Sequence, residues 1–337
     1  SGGDAGGGGA GQGGQGGGGG QGGAAGGGGA GGGITCNQAG SWHVEAYLDT
    51  AEYFTAVWGN PDDDGDVWAV GKGIDMKSVI ARWNGTIWST ESTGAVGSVL
   101  NGVWASASGT VYAVGSGGSI YRYNGSSWSS FSGPPTSSNL NGIWGSDANH
   151  LWVVGDSGAA FYWDGADWVD HSMVSDVNNS IGALLSVWSA DGETIWVTNS
   201  NSSSTNGYSL YRFFDGTWTA YANWTYFNQS VWGTANDDIW AVGYSKGTSA
   251  HFGGQSWISS NAPAAGSGYL NSVLGRGQDM VWAVGDGGQL DFWNGSEWSA
   301  CTKITNYDLN GVAVTLTHTW AVGSGGIVLR NDPPAVP

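Results

Sequence analysis

Basic side chains are scarce in this chain: nine Lys and Arg stand against 27 Asp and Glu, giving a formal net charge of −18. A surface of that sign repels phosphate, which excludes nucleic acid and speaks against anionic membrane surfaces. Cysteine is nearly absent. With only Cys36 and Cys301 there is no CxxC redox motif and no cysteine metal knuckle. No apolar run approaches the ~18 residues of a transmembrane helix, so no span is expected. The chain opens without a basic-plus-apolar export segment, and any such signal is expected to have been removed. The five histidines (His43, His150, His171, His251 and His318) are scattered without metal-ligand spacing.

Gly and Trp are what the chain has in excess, with 64 and 22 copies. Residues 1–33 are almost entirely Gly, with Ala and Gln interspersed. The segment has no side chains with which to build a core, and its default reading is a flexible tether. As a coil its ends would lie roughly 30 Å apart, and extended it would reach about 100 Å. Gly loses the most entropy on ordering, so an ordered arm would need a neighbour to pack on. Gly strands can pack unusually close. The expectation is self-association through residues 1–33 into a fibre or array, by an arm-into-neighbour contact that propagates. Few Lys and Arg with much Gly, Ser, Asn and Trp suit an extracellular or cell-surface location.

From Ile34 onward one phrase recurs at intervals of roughly forty residues, a period too short to bury its own apolar face. It begins with a small residue, an apolar residue and usually Trp, as in Ala56-Val57-Trp58, Gly102-Val103-Trp104 and Ser186-Val187-Trp188. A strand such as Val67-Trp68-Ala69-Val70-Gly71 follows. Then comes an aromatic-Asn/Asp-Gly turn: Trp83-Asn84-Gly85, Tyr123-Asn124-Gly125, Trp163-Asp164-Gly165, Phe214-Asp215-Gly216 and Trp293-Asn294-Gly295. Asn-Gly and Asp-Gly favour the φ > 0 turns of hairpins. A further Trp opens a fourth strand. Each repeat is therefore a four-stranded antiparallel blade, and the chain from residue 34 to 337 reads as an all-β, seven-bladed β-propeller. The last repeat lacks a fourth strand. Gly40-Ser41-Trp42 matches the entry to other fourth strands, so residues 41–47 are expected to complete the last blade and remove the exposed edges. Cys36 then precedes the closing strand and Cys301 ends the neighbouring blade. A disulfide between them would staple the ring, with two buried free thiols as the alternative.

The aromatic-Asn/Asp-Gly…Trp turn resembles the Asp-box of sialidase-type propellers. The whole unit resembles propeller repeats of secreted proteins and lipoproteins of myxobacteria and their relatives. It is also similar to Trp-rich, seven-bladed bacterial fucose-binding lectins. The resemblance covers residues 41–332 and implies the fold, which hosts enzymes, lectins and scaffolds alike. Ser1-Gly2-Gly3-Asp4 before a Gly tract resembles the stretch after the lipidated Cys of a bacterial lipoprotein, which implies a lipid anchor upstream.

Catalysis finds little support in the residues, and no enzyme is expected. A sialidase would need an arginine cluster, yet Arg82, Arg122 and Arg212 share one repeat position and read as architectural. A calcium site is one candidate: Asn60, Asp62, Asp64 and Asp66 alternate in a loop with Gly65 at its turn, the plain alternative being a solvated hairpin loop. No other cofactor is expected. Sugar binding is the other candidate. Indole faces stack on sugars, and Trp83, Tyr123, Trp163, Phe214, Phe252 and Trp293 occupy equivalent places, the plain alternative being that they fill space between blades. Asn101, Asn141, Gln229, Asn271 and Asn310 also share one position, with Thr55 and Leu185 in the two other repeats, and are expected near one mouth of a central channel.

Overall fold

The computed structural model describes residues 34–91, 99–174, 181–201, 208–222, 228–243, 248–261 and 268–333. By compactness the chain divides into a unit of residues 1–32 and a unit of residues 33–337. The arm expectation falls outside the described residues.

The second unit holds seven four-stranded antiparallel sheets. Blade one comprises Ala51–Gly59, Val67–Gly73, Ser78–Trp83 and Trp88–Glu91, and the pattern repeats through blade six, which ends at Trp298–Ala300. Blade seven takes three strands from the C-terminal end (Leu309–Val314, Thr319–Gly323 and Ile327–Asp332) and its fourth from Ser41–Tyr47. Ser41 pairs with Asp332 and Tyr47 with Ile327, so the N-terminal strand closes the ring as expected.

The second strands are the most apolar because both their faces are covered. Val67, Trp68, Ala69 and Val70 are all fully buried, as are their counterparts Val281, Ala283 and Val284. The Gly ending these strands is required by crowding. A Cβ on Gly71, Gly115, Gly155, Gly285 or Gly323 would stand 1.9–2.2 Å from a carbonyl oxygen near the start of the same blade's first strand. Seven clusters of buried side chains result, one in each seam between neighbouring blades.

The ring is also locked covalently. Cys36 and Cys301 form a disulfide with their Cα atoms 5.1 Å apart and 265 positions apart in sequence. On a loop-entropy argument a closure that long contributes about 5 kcal/mol. Hydrogen bonds fix the same point: the Cys36 amide donates to Ser299 Oγ at 2.9 Å, Asn294 Nδ2 to the Ile34 carbonyl at 3.1 Å, and Thr302 Oγ1 to Asn37 Oδ1 at 3.1 Å.

Blade four departs from the expected phase. Ile195 faces Phe213, where Val67 faces Trp83 and Val281 faces Trp293. Phe213 is therefore the counterpart of the turn aromatics, and Phe214 takes the place of Asn84. Where Asn84 Oδ1 accepts the amides of Thr86 and Ile87, blade four instead turns through Asp215 and Gly216 at φ 48° and 72°. Phe214 is left 49% exposed on the surface.

Candidate functional site

The first strand of each blade runs along the ring's axis, and its residues line one central channel from end to end. At one mouth stand Thr55, Asn101, Asn141, Leu185, Gln229, Asn271 and Asn310, around a recess of about 160 Å³. The amides stitch blade to blade. Asn101 Nδ2 donates to the Leu140 carbonyl, Asn141 to that of Leu184, Asn271 to that of Leu309, and Asn310 to that of Phe54. Thr55 Oγ1 does the same for Leu100. In blade four, where Leu185 offers no amide, Thr198 Oγ1 reaches the Gln229 carbonyl at 3.3 Å. Below this ring, Ser186, Ser230 and Ser272 accept the amides of Val231, Val273 and Val312 from the following blades. These groups satisfy the inner strand edges, as buried backbone requires.

The opposite mouth is aromatic. Trp58, Trp104, Trp144, Trp188 and Trp232 surround a recess of about 380 Å³, with Leu274 and Pro61 completing the wall. Each indole leans over the following blade and packs into its seam. The receiving residue is small: Ala105, Gly145, Ser189, Gly233 and Gly275. A Cβ on Gly145, Gly233 or Gly275 would meet a ring carbon of Trp104, Trp188 or Trp232 within 2.8–3.0 Å. In the next step round the ring Leu274 replaces Trp, and the receiving residue is Val314. All five indoles are half-buried, so each keeps a face toward the channel. Among the described residues no titratable side chain lines this recess.

The expected sugar-binding aromatics lie elsewhere. Trp83, Tyr123 and Phe252 are 6–7% exposed and fill seams, Tyr123 with its ring centroid 5.0 Å from that of Trp68 and Trp83 5.2 Å from that of Trp320. Trp163 packs on Phe131 at 5.4 Å and Trp293 on Trp240 at 4.9 Å. Phe214 is displaced by the phase shift. Each of the five seam aromatics belongs to a different seam. The architectural reading of the third-strand arginines fits their placement: Arg82 lies over Trp68 at 4.8 Å, Arg122 over Tyr112 at 5.8 Å, and Arg212 over Tyr221 at 5.2 Å.

The candidate calcium ligands are drawn to separate partners. Asp64 reaches across to blade seven, accepting from the hydroxyls of Thr315 and Thr317 and from the Thr317 amide. Burial pushes its pKa up, but these bonds and one from the His318 side chain outweigh burial and hold it well below the usual carboxylate range. Asp66 pairs with Arg82 Nε at 2.9 Å, and Asn60 Oδ1 accepts the Asp62 amide. Among the described residues no group of three or more His, Cys, Asp or Glu side chains is placed to hold a metal ion. Two of the histidines share a partner, His43 Nδ1 and His318 Nε2 lying against Asp332 at 3.6 and 3.4 Å, and the other three have separate surroundings. His251 stacks on Trp240 with centroids 3.9 Å apart and pairs with Asp238, His150 pairs with Asp147 at 2.7 Å, and burial near Trp152 lowers the pKa of His171.

No protein-family model matches the chain, and no curated protein matches it in sequence. Solved structures do match its fold. YCF48 from Cyanidioschyzon merolae superposes with a TM-score of 0.68 at 16% identity, over 86% of this chain and 98% of that one. YCF48 bound to D1 peptide gives 0.68 at 16%, over 86% and 96%. Virginiamycin B lyase from Staphylococcus aureus, as a catalytically inactive variant with quinupristin, gives 0.71 at 12% identity, over 87% and 99%. At such identities the likeness defines the class, a seven-bladed β-propeller, and nothing narrower.

Proposed function

We propose that this chain is a non-catalytic, extracellular binding propeller that seats its ligand in the indole-lined mouth of the channel. The observation that carries this reading is the recess of about 380 Å³ walled by five half-buried Trp. Its volume falls within the roughly 300–1,000 Å³ common for ligand sites. Among the described residues its wall offers stacking faces and, apart from the hydroxyls of Ser186, Ser230 and Ser272, no group able to transfer a proton, which favours holding over turnover. A peptide is the first ligand class to consider, since a propeller of the same fold, YCF48, is seen with one. A carbohydrate is the second, because the stacking sought in the seam aromatics is available on the inner indoles instead.

The reading is tested by screening the protein and a Trp144→Ala/Trp188→Ala variant on peptide and glycan arrays. Hits that vanish in a variant with unchanged circular dichroism support it. Hits that survive the double substitution, or none with the parent, end it.

Self-assembly through the Gly-rich arm is the second reading. One observation favours it: the root of the arm is fixed to blade six by the Cys36–Cys301 bond and by Asn294 and Ser299. An arm so rooted gives any contact it makes a defined point of attachment to the disc.

A further inference from the structure

The distribution of charge around the indole mouth narrows the ligand class, on the footing that this mouth is the binding site. The connections between first and second strands leave directly from the recess. Pro61 lines it, and Asp62 and Asp63 follow, both exposed. Glu193, Asp237 and Asp279 occupy the matching connections of blades four, five and six, and all are exposed. None of these five has an ion pair among the described residues.

Among the described residues, which do not include Lys246, lysine and arginine charge is withheld from this face. Lys72 and Lys77 flank a turn between second and third strands, and Lys303 follows a fourth strand, so all three lie toward the amide mouth. Lys72 and Lys77 are engaged there with Glu52 and Asp75. Arg276 leaves the first strand of blade six near the recess, but both its terminal nitrogens donate to the carbonyls of Leu316 and His318. Arg82, Arg122, Arg212 and Arg330 are clamped over aromatic rings in the seams.

An indole face is the most favourable aromatic surface for a cation, because its quadrupole presents negative charge to the approaching group. The walls of the recess are thus suited to ammonium or guanidinium groups, while the carboxylates of the rim attract them from farther out. The attraction acts over about 8 Å at physiological salt. A neutral sugar would gain from the walls but not from the rim, and an anion would be repelled by both. We infer that the indole mouth receives a basic segment of a protein partner, placing lysine or arginine side chains among Trp58, Trp104, Trp144, Trp188 and Trp232.

The test is calorimetric titration of the full chain with hexalysine, hexaarginine, hexaglutamate and cellohexaose. The expected result is binding of the two basic peptides only, weakened about tenfold between 20 and 200 mM salt. Trp188→Ala is expected to weaken it about tenfold. Asp237→Asn with Asp279→Asn, exposed changes that leave the seams intact, is expected to slow association and flatten the salt dependence. Basic peptides that bind the Trp144→Ala and Trp188→Ala variants as well as the parent would overturn the inference, showing adsorption to an acidic face. Cellohexaose binding that depends on the indoles, without any for the basic peptides, would overturn it and leave the binding mouth standing. If the arrays also give no ligand dependent on the indoles, both fall.

Discussion

A single carboxylate in blade six is held where water does not reach it. Asp291 has no exposed surface, and its one hydrogen bond comes from Gln289 Nε2 at 2.6 Å. The other carboxylate oxygen and Gln289 Oε1 are both buried without a partner. Burial raises the Asp291 pKa to about 7, against the opposing pull of Gln289. A raised acid binds its proton more tightly folded than unfolded, so stability falls as pH climbs from about 4 to 7. Asp291→Asn is expected to stabilise the protein by ~2–4 kcal/mol at pH 8, with the gain fading toward pH 4. The new amide could also donate to Gln289 Oε1. Urea unfolding at the two pH values measures it, and an equal effect at both would rule out titration as the cause. Nothing in the sequence marks this pair. Asp291 sits where blade one has Ala81 and blade three Phe161, and only the packed seam shows that it is buried.

At the scale of the strand, much was legible and the limits have physical causes. The second strands announce themselves because Val-Trp-Ala-Val-Gly is apolar at consecutive positions, the mark of a strand covered on both faces. The closing strand Ser41–Tyr47 was visible because it keeps the fourth-strand Trp, and Trp42 packs against Trp282 with centroids 5.4 Å apart. Blade four was misphased because Phe213 and Phe214 are adjacent, and turn motif alone cannot say which is inside. The indole mouth was missed because Trp58 and its equivalents read as one more repeated core position. A signal was nevertheless present in the residues: Trp is followed one blade on by Ala, Gly or Ser, whereas Leu274 is followed by Val314. That pairing predicts coupling. Ala105→Val should crowd Trp58 and cost about 1–3 kcal/mol. Adding Trp58→Leu should recover part of that cost, imitating Leu274 and Val314. Additive losses in thermal unfolding would mean that the two side chains do not share the space.

The propeller unit has two unlike faces: one mouth of amides, where Asp156 and Asp286 accept from Asn141 and Asn271 and lysines lie nearby, and the other of indoles rimmed by carboxylates without an ion pair among the described residues. Such polarity lets the two faces meet different partners. If the arm bundles copies together, electron microscopy of the full-length protein should show fibres or arrays that a chain beginning at Ile34 does not form. Identical discrete discs from both would make the arm a tether only. The seam between blades six and seven has a mechanical meaning in either case. The closing strand is antiparallel to Ile327–Asp332 and continuous with the arm, so a pull on the arm would unzip it pair by pair from Ser41. Cys36 lies upstream of that first pair. Tension entering from the arm crosses the sulfur bridge into blade six before it reaches the closing strand, and the ring can be tugged without being opened. Reduction would reroute the same force through the ladder of hydrogen bonds, turning a fixed mooring into one that peels.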